Sequence, residues 1–418
     1  MNDTILYISP YFPPLNNSRS IANAYYCMEL SKLGYKVIIL TTKIPSDHIG
    51  YFENYNWFKG SFDLIRIDLG LYKYLYSKKH NLAKEDKGKY SFNLLPLLQK
   101  LGKKVLFYPD SFVYWSRKSF FKAKEIINKY KISTIITASD PYSSHILGYK
   151  LKRYFPNIRW IGIFGDPWSL DYQVGKFEKA RRKRWEKKVI CCMDKYTFTT
   201  ENCRDLYCNE FEINPSVTSV FSRGYDSKIY DDSNPVSLNK EKINFVYTGD
   251  IGKYRNVDPF IQALSELDNR FVKKIKIYFV GSISSEIKQK FKEFKFIKII
   301  DFVSFKEAIS FSKEADILLL FDNNNVVQLP AKVFEYLGTS NPILTFTINY
   351  NSPLAVLMKE VKRGPLVYNR KKDILEALKN IALLYEKEEI PCEWKIKTKK
   401  YEIGNVVKNF AKQNLDFL

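Results

Sequence analysis

Short apolar runs, rich in β-branched residues, alternate with helical patterns along most of this chain. This alternation restricts the fold more than any other feature of the sequence. In the first half, the runs 5–9 and 35–41 flank a helical pattern that Gly34 ends. A strand, a helix and a second strand in this order predict two parallel strands joined by a helical crossover. Further apolar runs extend the series at 132–138, 157–164, 195–200 and 216–221.

The second half repeats the alternation after a polar stretch. Residues 225–242, with Asp231–Pro235 among them, lack apolar periodicity and predict a domain boundary. Beyond it, strands are predicted at 243–248, 276–281, 297–301, 315–321 and 343–344. We therefore expect two doubly wound α/β domains, 1–228 and 240–385, followed by a helical segment, 386–418, that packs back on the first domain.

Length and composition agree with a two-domain globular protein. A chain of 418 residues exceeds what one hydrophobic core usually organises. No run approaches the ~18 apolar residues of a membrane span, and the first residues lack the basic region of a signal peptide. The six cysteines lack metal-ligand spacing and predict free thiols in a reducing cytoplasm. Residues 46–104 have no period and predict an irregular insertion.

The formal net charge of +22 leaves two interpretations open. A nucleic-acid partner would require a recognisable binding module, and the sequence contains none. A basic face could instead contact an anionic membrane, or the lysines could simply be solvated. The densest cluster, Lys176–Lys188, predicts a basic helix with Trp185 among its charges, which is a plausible anchor at the inner face of a membrane.

The stretch 325–344 is the first place to look for chemistry. Pro330 falls where the first turn of a helix tolerates a missing N–H, and Lys332 and Glu335 share a face near the start of that helix. A helix N-terminus that follows a strand suits phosphate, although an ordinary amphipathic helix would have the same pattern. Gly249 and Gly252 lack the spacing of a nucleotide fingerprint. The residues alone therefore predict a two-domain α/β protein that binds an anionic ligand.

Several segments, in their order along the chain, resemble motifs of the GT-B glycosyltransferases, and most closely those of glycosyltransferase family 4. These segments are Tyr11–Pro14, Ser139–His145, Phe164–Trp168, Phe221–Asp226, Val246–Gly249 with Arg255, and Leu329–Leu337. The resemblance implies the GT-B fold, in which two Rossmann-like doubly wound domains face a central cleft. It also implies a nucleotide-sugar donor, UDP- or GDP-linked, at the second domain. A glycan or lipid-linked glycan acceptor would face the first domain, on the side that the insertion 46–104 could cover.

The family retains the anomeric configuration and typically uses no metal or other cofactor. Basic side chains and a helix N-terminus neutralise the leaving diphosphate instead. On this resemblance, Glu335 holds the donor ribose, while Lys332 and Arg255 face the diphosphate. The remaining donor-binding residues that we predict are Gly249, Asn325 and Pro330.

The first domain is expected to supply the groups next to the reacting sugar. On the same resemblance, His145 lies near the transferred sugar and Asp166 borders the acceptor, so both are predicted catalytic residues. Asn17 and Arg19 occupy a loop that approaches the donor phosphate or the acceptor.

Two positions depart from the family pattern at the donor site. Val327 replaces a glutamate, for which Asn323–Asn325 or Gln328 could substitute, and Asp250 stands where an arginine is usual. These departures leave room for a non-catalytic partner of another transferase. A GT-B nucleotide-sugar epimerase is a further alternative, but it needs acid/base groups, and the chain has only three histidines.

Overall fold

The structure is a computed structural model that describes residues 4–15, 17–48, 51, 62–69, 108–172, 174–252, 255–301, 303–323 and 327–415. The chain forms two compact units. The first unit comprises Met1–Thr199, Cys203–Phe221 and Val407–Leu418. The second unit comprises Thr200–Asn202 and Ser222–Val406.

A parallel sheet forms the centre of the first unit. In the described part of the chain its order is β3-β2-β1-β4-β5-β6-β7, so the direction of winding reverses between β1 and β4. The strands are β1 (Thr4–Ile8), β2 (Lys36–Lys43), β3 (Phe62–Asp68), β4 (Thr134–Ala138), β5 (Arg159–Phe164), β6 (Lys195–Phe198) and β7 (Thr218–Val220). The accompanying helices are α1 (Ser18–Lys32), α2 (Val113–Tyr130), α3 (Ser143–Tyr154), α4 (Lys176–Ile190) and α5 (Glu201–Phe211).

The second unit has a parallel sheet of the same kind. Its order in the described residues is β10-β9-β8-β11-β12-β13, and the winding reverses between β8 and β11. The strands are β8 (Ile243–Thr248), β9 (Ile275–Val280), β10 (Ile297–Ile300), β11 (Ile317–Phe321), β12 (Ile343–Thr347) and β13 (Leu366–Tyr368). The helices are α6 (Ser227–Asp231), α7 (Asp258–Ser265), α8 (Asn269–Val272), α9 (Ser285–Phe291), α10 (Phe305–Glu314), α11 (Lys332–Leu337), α12 (Pro353–Val361) and α13 (Lys371–Glu386).

The last helix, α14 (Ile403–Asn414), begins in the second unit and ends in the first. In the second unit, the Ile403 amide donates to the Tyr225 carbonyl at 2.8 Å. In the first, the Phe410 ring lies 4.5 Å from that of Phe221, and the Asn414 amide nitrogen lies 3.1 Å from the Ser219 hydroxyl.

The predicted α/β fold with two doubly wound parallel sheets is confirmed. Two strands were not predicted. β3 lies inside the expected insertion 46–104, where Asp63, Arg66 and Asp68 hide its pattern, and β13 has only three residues. The rest of that insertion, apart from residues 46–48, 51 and 69, lies outside the described residues. Among the described helices, none combines the length and the apolar run that crossing a bilayer requires.

Candidate functional site

Two glycines bring the ends of β8 and β9 together in the second unit. Gly249 directly follows β8 at φ +127°, and Gly281 follows β9 at φ +133°, which only glycine adopts without strain. A Cβ at Gly281 would lie 2.4 Å from the Gly249 carbonyl oxygen. A Cβ at Gly249 would lie 3.0 Å from Cε of Lys332, so the lysine side chain passes directly over this glycine.

Lys332 and Glu335 form an ion pair at the start of α11. The lysine Nζ lies 2.5 Å from Oε2 of the glutamate, and the two side chains are 20% and 16% exposed. A hydrogen bond to β8 holds this helix in place, since the Tyr336 hydroxyl accepts from the Thr248 amide at 2.9 Å. The Tyr230 hydroxyl donates to the Glu335 carbonyl at 2.5 Å. These two hydrogen bonds therefore fix α11 to the end of β8 and to α6.

The sequence predicts Pro330 in the first turn of this helix, and the structure places it before the helix. Ala331 is the N-cap residue and α11 begins at Lys332. The Pro330 carbonyl accepts from the Val333 amide at 3.1 Å, so the chain makes a turn before it becomes helical. With six residues, α11 is only about 9 Å long, and its dipole is correspondingly weak. The Lys332 charge is thus the larger attraction for an anion here.

Arg255 joins this group through a buried tyrosine. Its Nη1 donates to the Asp250 carbonyl at 2.5 Å and also contacts the Tyr247 hydroxyl. Burial raises the pKa of Tyr247 to about 12, although the Arg255 charge opposes this shift. The Tyr247 hydroxyl lies 3.6 Å from the position of a Cβ on Gly249. The structure therefore brings Gly249, Arg255, Lys332 and Glu335 together, while Asn325 lies outside the described residues.

A buried arginine supports the far end of α11. Arg363 is 0% exposed. Its Nη2 donates to the carbonyls of Thr339 and Asn341 at 3.0 and 2.7 Å, and its Nε donates to the Trp394 carbonyl at 2.9 Å. Burial lowers the pKa of Arg363 to about 10. The arginine thereby fixes the loop after α11 to the segment that leads towards α14.

His145 lies on α3 in the first unit and is fully buried. Its Nδ1 lies 2.8 Å from the Thr137 hydroxyl at the end of β4, and its ring packs 4.6 Å from that of Phe164. Burial, and then the Arg19 charge, lower the pKa of His145 to about 3. The side chain is therefore neutral at pH 7, which suits a hydrogen-bonding role better than proton transfer.

Arg19 is also buried, at 6% exposure, and has an unusual position. A Cβ on Gly165 would lie 1.4 Å from its Nη2, so the guanidinium occupies the space that the glycine leaves. Its Nη1 has no hydrogen-bond partner among the described residues. Asn17 is the N-cap of α1, and its side chain accepts from the Ser20 amide at 2.8 Å. Asp166 directly follows Gly165 and is half-buried.

Two carboxylates near these groups were not predicted. Burial and the neighbouring Asp166 charge raise the pKa of Asp140, and its Oδ1 has no partner within the described part of the chain. The Ser139–His145 motif contained this residue, so a signal was present. Asp110 accepts from the Ser143 amide at 2.8 Å and from its hydroxyl at 2.6 Å, and so caps α3 from another segment. No capping pattern in the sequence has this spacing.

The basic helix predicted at Lys176–Lys188 is α4. Its exposed aromatic residue is Phe177, at 84% exposure. Trp185, the predicted anchor, is half-buried against the core of the first unit. Arg182 pairs with Glu178 at 3.2 Å, so part of the charge is neutralised along the helix.

Comparison with known proteins gives the fold class. No protein-family model matches the sequence, and no curated protein matches it either. Among solved structures, Anabaena HepE in complex with UDP and glucose has a TM-score of 0.65, with 9% identity over 100% of both chains. A glycosyltransferase from Rickettsia africae has a TM-score of 0.66, with 13% identity over 100% of this chain and 98% of that one. A UDP-N-acetylglucosamine 2-epimerase has a TM-score of 0.57, with 10% identity over 98% of this chain and 95% of that one. The chain thus has the two-domain GT-B fold.

Proposed function

We propose that this chain is a glycosyltransferase, similar to family 4, that moves a sugar from a nucleotide-sugar to a glycan or lipid-linked glycan. The observation that carries this proposal is the convergence of Arg255, Lys332 and Glu335 around Gly249. They meet at the carboxyl end of β8, next to the point where the winding of the second sheet reverses, which is where open α/β sheets bind ligands. HepE and its complex with UDP and glucose support the choice of donor class.

The residues of the second unit suggest how the donor is held. Glu335 can accept two ribose hydroxyls, and Lys332 and Arg255 can neutralise a diphosphate leaving group. In the ligand-free chain Lys332 is paired with Glu335. A bound diphosphate would therefore draw the lysine from the glutamate and leave the carboxylate available to the ribose. We propose a UDP- or GDP-linked donor, retention of configuration and no requirement for a metal.

The first unit would supply the surroundings of the reacting sugar. His145 and Asp166 would lie next to the sugar and the acceptor, and Arg19 and Asn17 would border the phosphate or the acceptor. Nη1 of Arg19 and Nε2 of His145 have no partner among the described residues, which supports a ligand here, since buried polar groups normally have partners.

Donor turnover in Lys332→Ala tests the central claim. We expect release of nucleoside diphosphate from a panel of UDP-, GDP- and dTDP-sugars to fall at least tenfold. Lys371→Ala is the matched control, because this exposed lysine pairs with Glu266 in the same unit at 2.7 Å. Unchanged turnover in Lys332→Ala would remove the proposed role of this residue.

The likeness to a UDP-N-acetylglucosamine 2-epimerase supports a second candidate. An epimerase would convert the nucleotide-sugar without any acceptor. Incubating the chain with the donor alone and analysing the sugar separates the two functions, since an epimerised product would favour the alternative. Absence of nucleotide binding would instead favour a non-catalytic partner of another transferase.

We also propose that α4 contacts an anionic membrane. Its lysines and arginines and the exposed Phe177 suit an acidic lipid surface. Co-sedimentation with phosphatidylglycerol vesicles should weaken in Phe177→Ser. Phe121→Ser is the control, since Phe121 is 73% exposed on α2. Equal binding to neutral phosphatidylcholine vesicles would contradict this contact.

A further inference from the structure

A short chain of hydrogen bonds ends at His145. Nε1 of Trp160 donates to the Thr137 hydroxyl oxygen at 2.8 Å, and this oxygen lies 2.8 Å from Nδ1 of His145. All three residues are 0% exposed. Gly148, on the same helix as His145, makes room for the indole, because a Cβ there would lie 2.5 Å from it. The packing of β4, β5 and α3 thus fixes the geometry of this chain.

The donors and acceptors in this series of hydrogen bonds decide which nitrogen of His145 holds the proton. Indole N–H can only donate, so Thr137 accepts from Trp160. If His145 Nδ1–H also donated to Thr137, the buried threonine proton would have no acceptor among the described residues, and Nε2 would be an unpaired acceptor as well. If Thr137 donates to Nδ1, only Nε2–H lacks a partner in the described part of the chain. The second arrangement leaves fewer buried polar groups unpaired, and each such group is costly.

We propose that Thr137, itself held by Trp160, positions His145 as the neutral Nε2–H tautomer, which donates a hydrogen bond from Nε2 to an oxygen of the transferred sugar. Thr137 and Trp160 are positioning residues and act only through His145. The identity of the ligand rests on the proposed function, whereas the tautomer is a property of the ligand-free chain. His145 is then a fixed donor and transfers no proton.

Nitrogen NMR of the ligand-free protein tests the tautomer directly. The chain has three histidines, so comparison of ¹⁵N-histidine spectra with those of His145→Gln identifies the signals of this residue. We expect His145 to be in the Nε2–H form and not to titrate between pH 5 and 8. Its charged neighbour is Arg19 on α1, and Thr137, Trp160 and Phe164 carry no charge. An Nδ1–H tautomer, or protonation near pH 6, would overturn the proposal.

Two substitutions separate positioning from simple packing. Thr137→Ser keeps the hydroxyl and should preserve both the tautomer and kcat/KM for the donor within about twofold. Thr137→Val removes the hydroxyl, so the Nδ1–H share should rise and kcat/KM should fall about fivefold to tenfold. If the Nδ1–H share rises only in Thr137→Val but kcat/KM is equal in both variants, His145 does not donate the proposed hydrogen bond to the sugar. Absence of transferase activity in the wild type would refute the proposed function and leave the NMR result valid.

Discussion

Replacing Arg363 with methionine tests how the second unit holds α11. The side chain has no exposed surface, and among the described residues it makes hydrogen bonds to main-chain carbonyls only. Methionine fills a similar volume and removes every donor. The change should therefore unpair the carbonyls of Thr339, Asn341 and Trp394 without opening a large cavity.

The expected loss follows from two opposing contributions. Three hydrogen bonds of 2.7–3.0 Å from a charged group are lost, each worth about 2 kcal/mol, or about 6 kcal/mol together. A fourth bond, from Nη1 to the Leu337 carbonyl, is 3.5 Å long and adds little. Burial lowers the pKa of Arg363 to about 10, and the difference from an exposed arginine means that holding the charge inside costs about 3 kcal/mol. Methionine removes that cost, so we expect a net loss of about 3 kcal/mol in the free energy of unfolding.

Urea denaturation, followed by tryptophan fluorescence, measures this loss. Trp394 is the tryptophan of the second unit and the other five belong to the first, so the part of the transition that a Trp394→Phe background removes reports on the second unit. Arg370→Met is the matched control, since Arg370 is exposed at the start of α13 and its side chain lies over the Tyr368 ring at 4.5 Å. The control should change stability by no more than about 0.5 kcal/mol. A loss below about 1 kcal/mol in Arg363→Met, or an equal loss in the control, would refute the reasoning.

Three further predictions concern other buried contacts. In a double-mutant cycle, the unfolding free-energy changes of Gly165→Ala and Arg19→Ala should be strongly non-additive, because the new Cβ at position 165 displaces the Arg19 guanidinium. Additive changes would contradict this packing. Tyr336→Phe should cost about 1–3 kcal/mol in chemical denaturation, since the buried Thr248 amide loses its acceptor, and a change under about 0.3 kcal/mol would be a failure. The pKa of His145 in the folded chain is about 3, so the unfolded chain binds the histidine proton more tightly. The contribution of neutral His145 to the free energy of unfolding is therefore complete above the ordinary histidine pKa and is lost as pH falls below that value. Between pH 7 and 5 the free energy of unfolding of the wild type, measured by chemical denaturation relative to His145→Gln, should therefore fall by about 2 kcal/mol. Protonation of Asp140, whose pKa is raised, stabilises both proteins as pH falls, so its contribution cancels in this comparison.

Sequence patterns predict the sheets well because their strands are buried on both faces. β11, Ile317–Phe321, is buried at every position and therefore appears as an uninterrupted apolar run. β3 has charged residues at Asp63 and Arg66 and is only partly buried, so its sequence resembles a loop. The spacing of Lys332 and Glu335 correctly predicts that they share a face of one helix.

The supporting residues of the candidate site could not be found in this way. Tyr336 and Thr248 meet across 88 positions of sequence, and Arg363 and Trp394 across 31. In the sequence, Arg363 is one more cation beside Lys362, and nothing distinguishes it from a solvated side chain. Such contacts depend on the packed tertiary structure, which a local pattern does not contain. The predicted roles of the site residues themselves stay predictions.

The two ends of α14 belong to different units, and this has a consequence for synthesis on the ribosome. Ser219 and Asn414 are separated by 195 positions, so the first unit lacks the second half of α14 until the residues of the second unit have been translated. During that interval the aromatic surface around Phe221 has no Phe410 to cover it. We therefore expect the nascent protein to expose this aromatic surface while the second unit is being made, and a chaperone that binds apolar surface would protect it from aggregation.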